Sequence, residues 1–160
     1  MNTEFALIRY PQALRVAPTS SWFQFRANAD RSGAAAGNGP GGFLSGHTLL
    51  VVEDDLFVGL ELAQILEEMG GGVVGPLRTI AAAEQAVAAG GFDIAILDVN
   101  IGGKYVFGIA ETLEARRLPV LFVTAYATDD RLFPDAMREI PRLPKPVQPM
   151  ALLHVLRRMV

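Results

Sequence analysis

Residues 49–55 read Leu-Leu-Val-Val-Glu-Asp-Asp: four apolar residues in a row, then three carboxylates. A short apolar run bounded by polar residues suits a strand buried on both faces, which needs cover on each side of its sheet. The pattern recurs at Ile94–Leu97, followed by Asp98, and at Val120–Val123, followed by Thr124. Amphipathic stretches separate the runs. Val58, Leu62, Ile65, Leu66 and Met69 share one helical face, as do Val106, Ile109, Ala110 and Leu113, and then Leu152, Leu153, Val155, Leu156 and Met159. Asp55 is placed to cap the first helix and Gly70 to end it, while Thr79 caps an alanine-rich helix over 80–89. Strands are expected near 48–52, 72–75, 93–97, 119–123 and 141–143. This alternation predicts an α/β domain: a doubly wound, five-stranded parallel sheet with helices on both faces. The stretch 128–140 holds Pro134 and is closed by Pro141, so any helix there is expected to be short or irregular.

The domain is expected over 47–160. Residues 1–46 differ in character: four arginines stand against two acids, whereas the rest carries ten basic and fifteen acidic residues. Gly33, Gly37, Gly39, Gly41, Gly42 and Gly46 interrupt the end of this segment, so it reads as a flexible N-terminal extension and Gly/Ala-rich linker. The chain has 160 residues, 51% of them hydrophobic and 19% charged, enough for one core but not for a second full domain. The absence of cysteine excludes disulfides, thiolate metal sites and cysteine nucleophiles, and suits a cytoplasmic protein. His47 and His154 are too few for a histidine metal cluster. No apolar stretch reaches the ~20 residues of a membrane span, and the acidic domain lacks a basic stripe for nucleic acid.

In open parallel sheets, ligands bind beyond the carboxyl ends of the strands. The polar residues that directly follow apolar runs are therefore the candidates: Glu53, Asp54 and Asp55, then Asp98, Thr124 and Lys145. Each alone has an ordinary explanation as a cap, a turn former or a surface group. Together they gather carboxylates that repel one another unless a hard cation holds them ionised, and Mg²⁺ suits one or two carboxylates plus water and phosphate oxygens. A carboxylate beside such an ion is equipped to accept a phosphoryl group as an acyl phosphate. Thr124 and Lys145 would then serve its oxygens.

At these residues the sequence resembles the receiver domain of bacterial two-component response regulators, over roughly residues 47–160. LLVVEDD is similar to the family's first strand and acid pair, DIAILDVN to its phosphoacceptor strand, PVLFVTAYA to the strand with the switch hydroxyl, and LPKPVQP to its lysine–proline segment. The resemblance implies a flavodoxin-like (CheY-like) sheet of order 2-1-3-4-5. It implies Asp98 as phosphoacceptor, Glu53, Asp54, Asp98 and the Asn100 backbone carbonyl as Mg²⁺ ligands, Thr124 and Lys145 as readers of the phosphoryl group, and a cis Lys145–Pro146 peptide. Glu53 replaces the commoner aspartate, and Arg142 stands where many receivers carry a Tyr or Phe, so an aromatic switch of that form is not expected. With DVNIGG and the interrupted 128–140 stretch, the chain is also similar to stand-alone receivers of alphaproteobacteria.

The expected function is that of a phosphoacceptor in two-component signalling or a phosphorelay. The donor is a sensor histidine kinase or histidine phosphotransfer protein, and output passes by contact with a downstream protein, without nucleic acid or membrane. The reduced fourth helix favours a monomer, and the only catalysis expected is the domain's own phosphorylation and dephosphorylation. Two alternatives compete. A pseudoreceiver binding module would not need the full set of Glu53, Asp54, Asp98, Thr124 and Lys145. An aspartate-nucleophile phosphohydrolase would need a second carboxylate two residues after the nucleophile, where this chain has Asn100. Gly102 and Gly103 belong to no phosphate-binding loop motif and instead predict a tight turn.

Overall fold

The computed structural model describes residues 42–160. The extension expected over 1–46 therefore lies outside the described residues up to position 41. Gly42–Gly46, read from sequence as linker, form a turn in which Leu44 is fully buried and its N–H donates to the Met69 carbonyl at 2.8 Å. Two apolar residues, Phe43 and Leu44, between glycines carry no periodicity, which is why this burial was not legible.

In chain order the elements are β1 (Thr48–Val52), α1 (Leu56–Glu68), β2 (Gly72–Leu77), α2 (Ile80–Ala89), β3 (Ile94–Leu97), β4 (Asn100–Ile101), β5 (Lys104–Tyr105), α3 (Phe107–Ala115), β6 (Val120–Thr124), β7 (Arg142–Pro144) and α4 (Pro149–Leu156). Five strands form one parallel sheet in the order β2-β1-β3-β6-β7. Counted without the short β4–β5 pair, this is the expected 2-1-3-4-5 order. Every residue of β3 and β6 is buried, whereas the edge strands β2 and β7 are only partly so.

Alternation divides the core. Leu50, Val52, Ala95, Leu97, Val120 and Phe122 cluster with residues of α2 and α3 and with Phe133, Met137 and Ile140. The intervening Leu49, Val51, Ile94, Ile96, Leu121 and Val123 are buried on the opposite face, the one left to Leu62, Ile65 and Leu66 of α1 and Leu152 and Leu156 of α4. Asp55 caps α1 by accepting from the Phe57 and Val58 N–H groups, and Thr79 caps α2 through the Ala82 N–H. Helix α1 ends with Gly70 N–H on Glu67 O and Gly71 N–H on Leu66 O, the paired bonds of a Schellman closure.

Strand β2 runs two residues past its expected end. Its register against β1 shifts, with Leu50 opposite Val74 but Val52 opposite Leu77, so one extra residue is accommodated at Gly75–Pro76. Helix α1 lies close over this bulge at Gly59, where a Cβ would come within 2.7 Å of the Pro76 ring. The 128–140 stretch holds only two 3₁₀ turns, Asp130–Leu132 and Asp135–Met137, as the prolines lead one to expect.

Candidate functional site

Each polar group that follows a sheet strand emerges at the same edge of the sheet, because the strands are parallel and in register. The Glu53 N–H donates to the Leu77 carbonyl at 2.9 Å, and the Asp98 N–H to the Val52 carbonyl at 2.9 Å, fixing the ends of β1, β2 and β3 side by side. The carboxylates of Glu53, Asp54 and Asp98 each place an oxygen within 4.8 Å of the others. Glu53 is 1% exposed and Asp98 8%.

One cation serves two of them. Lys145 Nζ lies 2.6 Å from Glu53 Oε2 and 2.7 Å from Asp98 Oδ2. Three of the other four oxygens are met by backbone: Asp55 N–H donates to Glu53 Oε1 at 3.2 Å, Asn100 N–H to Asp98 Oδ1 at 3.4 Å, and Gly102 N–H to Asp54 Oδ2 at 2.9 Å. Burial pushes the Glu53 carboxyl above its ordinary value near 4.5, more than the contacts with Lys145 recover. Burial also acts to lower the Lys145 pKa, but the hydrogen bonds and charges of Asp98 and Glu53 outweigh it and leave the ammonium above its ordinary 10.5.

The β4–β5 pair, not foreseen as strands, is a two-residue hairpin built on the expected Gly102–Gly103 turn, with φ of 59° and 81°. Positive φ at both positions is what a turn compatible with strand twist demands, and glycine provides it without steric cost. The Val106 N–H bonds the Val99 carbonyl, so the Asn100–Tyr105 pair is the wide, non-hydrogen-bonded one. The Asn100 backbone carbonyl is thereby left out of the hairpin's own bonding, beside Asp98. Thr124 is completely buried at the end of β6, its Oγ1 accepting from the Tyr126 N–H at 3.3 Å and its carbonyl from the Lys145 N–H at 3.2 Å. The Lys145–Pro146 peptide is cis.

Three carboxylates against one ammonium leave a formal charge of −2, and every donor is a hard oxygen. That set fits a hard divalent cation such as Mg²⁺ and offers nothing to a metal that prefers nitrogen or sulfur. Residues that sequence reasoning missed lie around it. Arg78 Nε donates to the Asp54 carbonyl at 3.0 Å. The strand expected over 72–75 stops short of Pro76, whereas β2 runs on to Leu77 and Arg78 directly follows it.

Arg142, at the position where many receivers carry an aromatic, has its guanidinium 4.3 Å from the centre of the Phe133 ring, with Nη1 2.8 Å from Asp130 Oδ1 and Nη2 donating to the Arg138 carbonyl at 3.2 Å.

No family sequence model matches the chain, and no curated protein sequence does. Solved structures match closely in fold. SdrG from Sphingomonas melonis Fr1 is 34% identical with a TM-score of 0.62, the match covering 71% of this chain and 95% of that one. The non-phosphorylated HemR receiver domain from Leptospira biflexa is 31% identical with a TM-score of 0.60, over 71% and 93%. The receiver domain of a sensor histidine kinase from Pseudomonas aeruginosa PAO1, solved with magnesium coordinated in its active-site cleft, has the same fold at 21% identity and a TM-score of 0.59, over 72% and 98%. With this topology, this identity and near-complete coverage of the matched domains, the chain belongs to the response regulator receiver domains.

Proposed function

We propose that Asp98 accepts a phosphoryl group from a phosphohistidine and that Glu53, Asp54, Asp98 and the Asn100 backbone carbonyl hold Mg²⁺ for that transfer. The observation that carries this reading is the Asp98 carboxylate itself. One oxygen is fixed by Lys145, which Asp98 shares with Glu53, so that among the described residues three carboxylates with oxygens within 4.8 Å of one another have a single ammonium between them. When bound, Mg²⁺ would neutralise charge on the transferring group. The chain's own residues do the rest. An Asp98 oxygen forms the new O–P bond as the donor's N–P bond breaks, the electron pair leaving with the imidazole nitrogen. Lys145 donates to a phosphoryl oxygen, and the Thr124 hydroxyl is available to another once it turns from the Tyr126 amide.

The surroundings favour a protein donor. Of the six large hydrophobic residues exposed among the described ones, Leu56 and Phe57 open α1, Tyr105 ends β5, Tyr126 follows β6 and Met150 opens α4, so five of them belong to the end of the sheet that carries the acidic cluster. Such a collar suits docking of a histidine kinase or phosphotransfer protein rather than a small phosphoester. Output by contact with a further protein follows from the same reasoning. Asn100, two residues after Asp98, cannot exchange a proton as the acid/base of a phosphohydrolase would, so turnover is confined to the domain's own phosphoryl group.

Intact-mass spectrometry with acetyl phosphate, with and without Mg²⁺, tests the reading. Wild type is expected to gain one phosphoryl group only with Mg²⁺, and Asp98→Asn none while keeping its fold. An unlabelled wild type would favour a binding module without phosphorylation, and a labelled Asp98→Asn would place the acceptor elsewhere.

A further inference from the structure

We infer that Arg78 is a positioning residue that sets Asp54 for metal binding. The inference rests on the carboxylate cluster being the metal site proposed above.

Asp54 differs from its neighbours in the cluster. Glu53 and Asp98 are each held by Lys145, whereas among the described residues no side-chain cation contacts the Asp54 carboxylate, whose partner is the Gly102 N–H of the hairpin. Its orientation therefore depends on where its backbone stands relative to that hairpin. Asp54 is the middle residue of the three-residue connection, Glu53 to the cap Asp55, that joins β1 to α1 outside any strand or helix. Ladder hydrogen bonds do not fix its carbonyl. Arg78 Nε does, at 3.0 Å.

The bulge in β2 makes this possible. Over Thr48–Leu50 the partner in β2 lies 24 positions on, and at Val52 it lies 25 positions on. The extra residue at Gly75–Pro76 brings Arg78 level with Glu53 rather than beyond it, so its side chain reaches forward to the next carbonyl. Leu77, the last residue of β2, accepts from the Glu53 N–H while Arg78, next after it, donates to the Asp54 carbonyl, so adjacent residues grip the two peptide groups that flank the Glu53–Asp54 peptide. Bulges commonly re-aim a side chain beside a functional site in this way. Groups that orient metal ligands from behind typically change affinity 10–100-fold when removed.

Charge and position make opposite predictions, which allows a decisive test. A merely electrostatic Arg78 repels a divalent cation, so Arg78→Ala would bind Mg²⁺ more tightly and Arg78→Lys would match wild type. A positioning Arg78 predicts that both variants bind Mg²⁺ about tenfold more weakly by isothermal titration calorimetry. It also predicts that, in metal-free protein, the Gly102 amide exchanges with deuterium several times faster in both variants, because its acceptor is no longer held. The exchange readout needs no metal, so a wild type that fails to bind Mg²⁺ would defeat the proposed site and, with it, Arg78's role toward the metal, even if the grip on Asp54 were intact. Tighter binding in Arg78→Ala, wild-type affinity in both variants, or an unmoved Gly102 amide would overturn the assignment.

Discussion

Among the described residues Lys145 gives Glu53 and Asp98 their only side-chain counter-charge, and Glu53 has almost no access to water to replace it. Removing one partner of a buried ion pair leaves the other charge unpaired, which costs more than the pair itself contributes. Lys145→Ala is therefore expected to destabilise the metal-free protein by about 3 kcal/mol at neutral pH, and chemical denaturation checks it. Added Mg²⁺ should recover much of the loss, because the vacated carboxylates gain a cation with no ammonium competing. A variant as stable as wild type without metal would show that the two acids tolerate each other unaided. The Lys145 contribution holds at all physiological pH, since its raised pKa means the support is complete below 10.5 and fades only as pH climbs through the folded value. At this scale Asp98 and Thr124 were legible because each directly follows an apolar run, and Lys145 because it follows the short strand expected near 141–143. Arg78 was not, because a proline hid the end of its strand.

Among the elements, the segment between β6 and β7 departs most from an ideal alternation of strands and helices. Two 3₁₀ turns replace a helix there, so few internal backbone bonds hold it, and its attachment falls to Phe133, Met137, Ile140 and the Arg142 side chain. Arg142 stacks on Phe133 and meets Asp130 and the Arg138 carbonyl, so a single residue of β7 fastens the segment at three points. The ion pair contributes little, as Asp130 is 74% exposed, and the stacked guanidinium and its packing supply most of the effect. Arg142→Ala is expected to cost about 1 kcal/mol overall. Hydrogen exchange should rise across 126–141 while β1, β3 and β6 keep their protection. Uniformly faster exchange, or none, would mean that Arg142 does not fasten this segment in particular. The weakness of this element was readable from Pro134 and Pro141, whereas the fastening was not, because Arg142 meets Phe133, Asp130 and Arg138 only after the chain has folded. The hairpin likewise announced its Gly–Gly turn but not its two-residue strands, which are too short to show an alternation.

The whole molecule was legible to the extent that burial dictates pattern: strands covered on both faces must be apolar throughout, and the parallel order then delivers every following polar residue to one edge. That same delivery concentrates charge, since residues 47–160 carry ten basic against fifteen acidic residues and the cluster alone holds a formal −2. An ion that binds only the folded arrangement stabilises it by mass action, by about 2.7 kcal/mol at a free concentration of a hundred times its Kd. Mg²⁺ is therefore expected to raise the unfolding temperature beyond what sodium chloride does at equal ionic strength, and equal shifts would reduce the effect to screening. The pH dependence follows from Glu53. Its folded pKa lies above 4.5, so the folded protein takes up this proton more readily than the unfolded chain, and in the absence of metal Glu53 favours folding most below pH ~4.5 and loses that contribution as pH rises through the folded value. Metal needs the ionised form, which is the form that burial disfavours. The stabilisation by Mg²⁺ should thus be largest at neutral pH and shrink on acidification before an exposed glutamate would titrate, and Glu53→Gln should weaken binding at every pH while flattening that dependence.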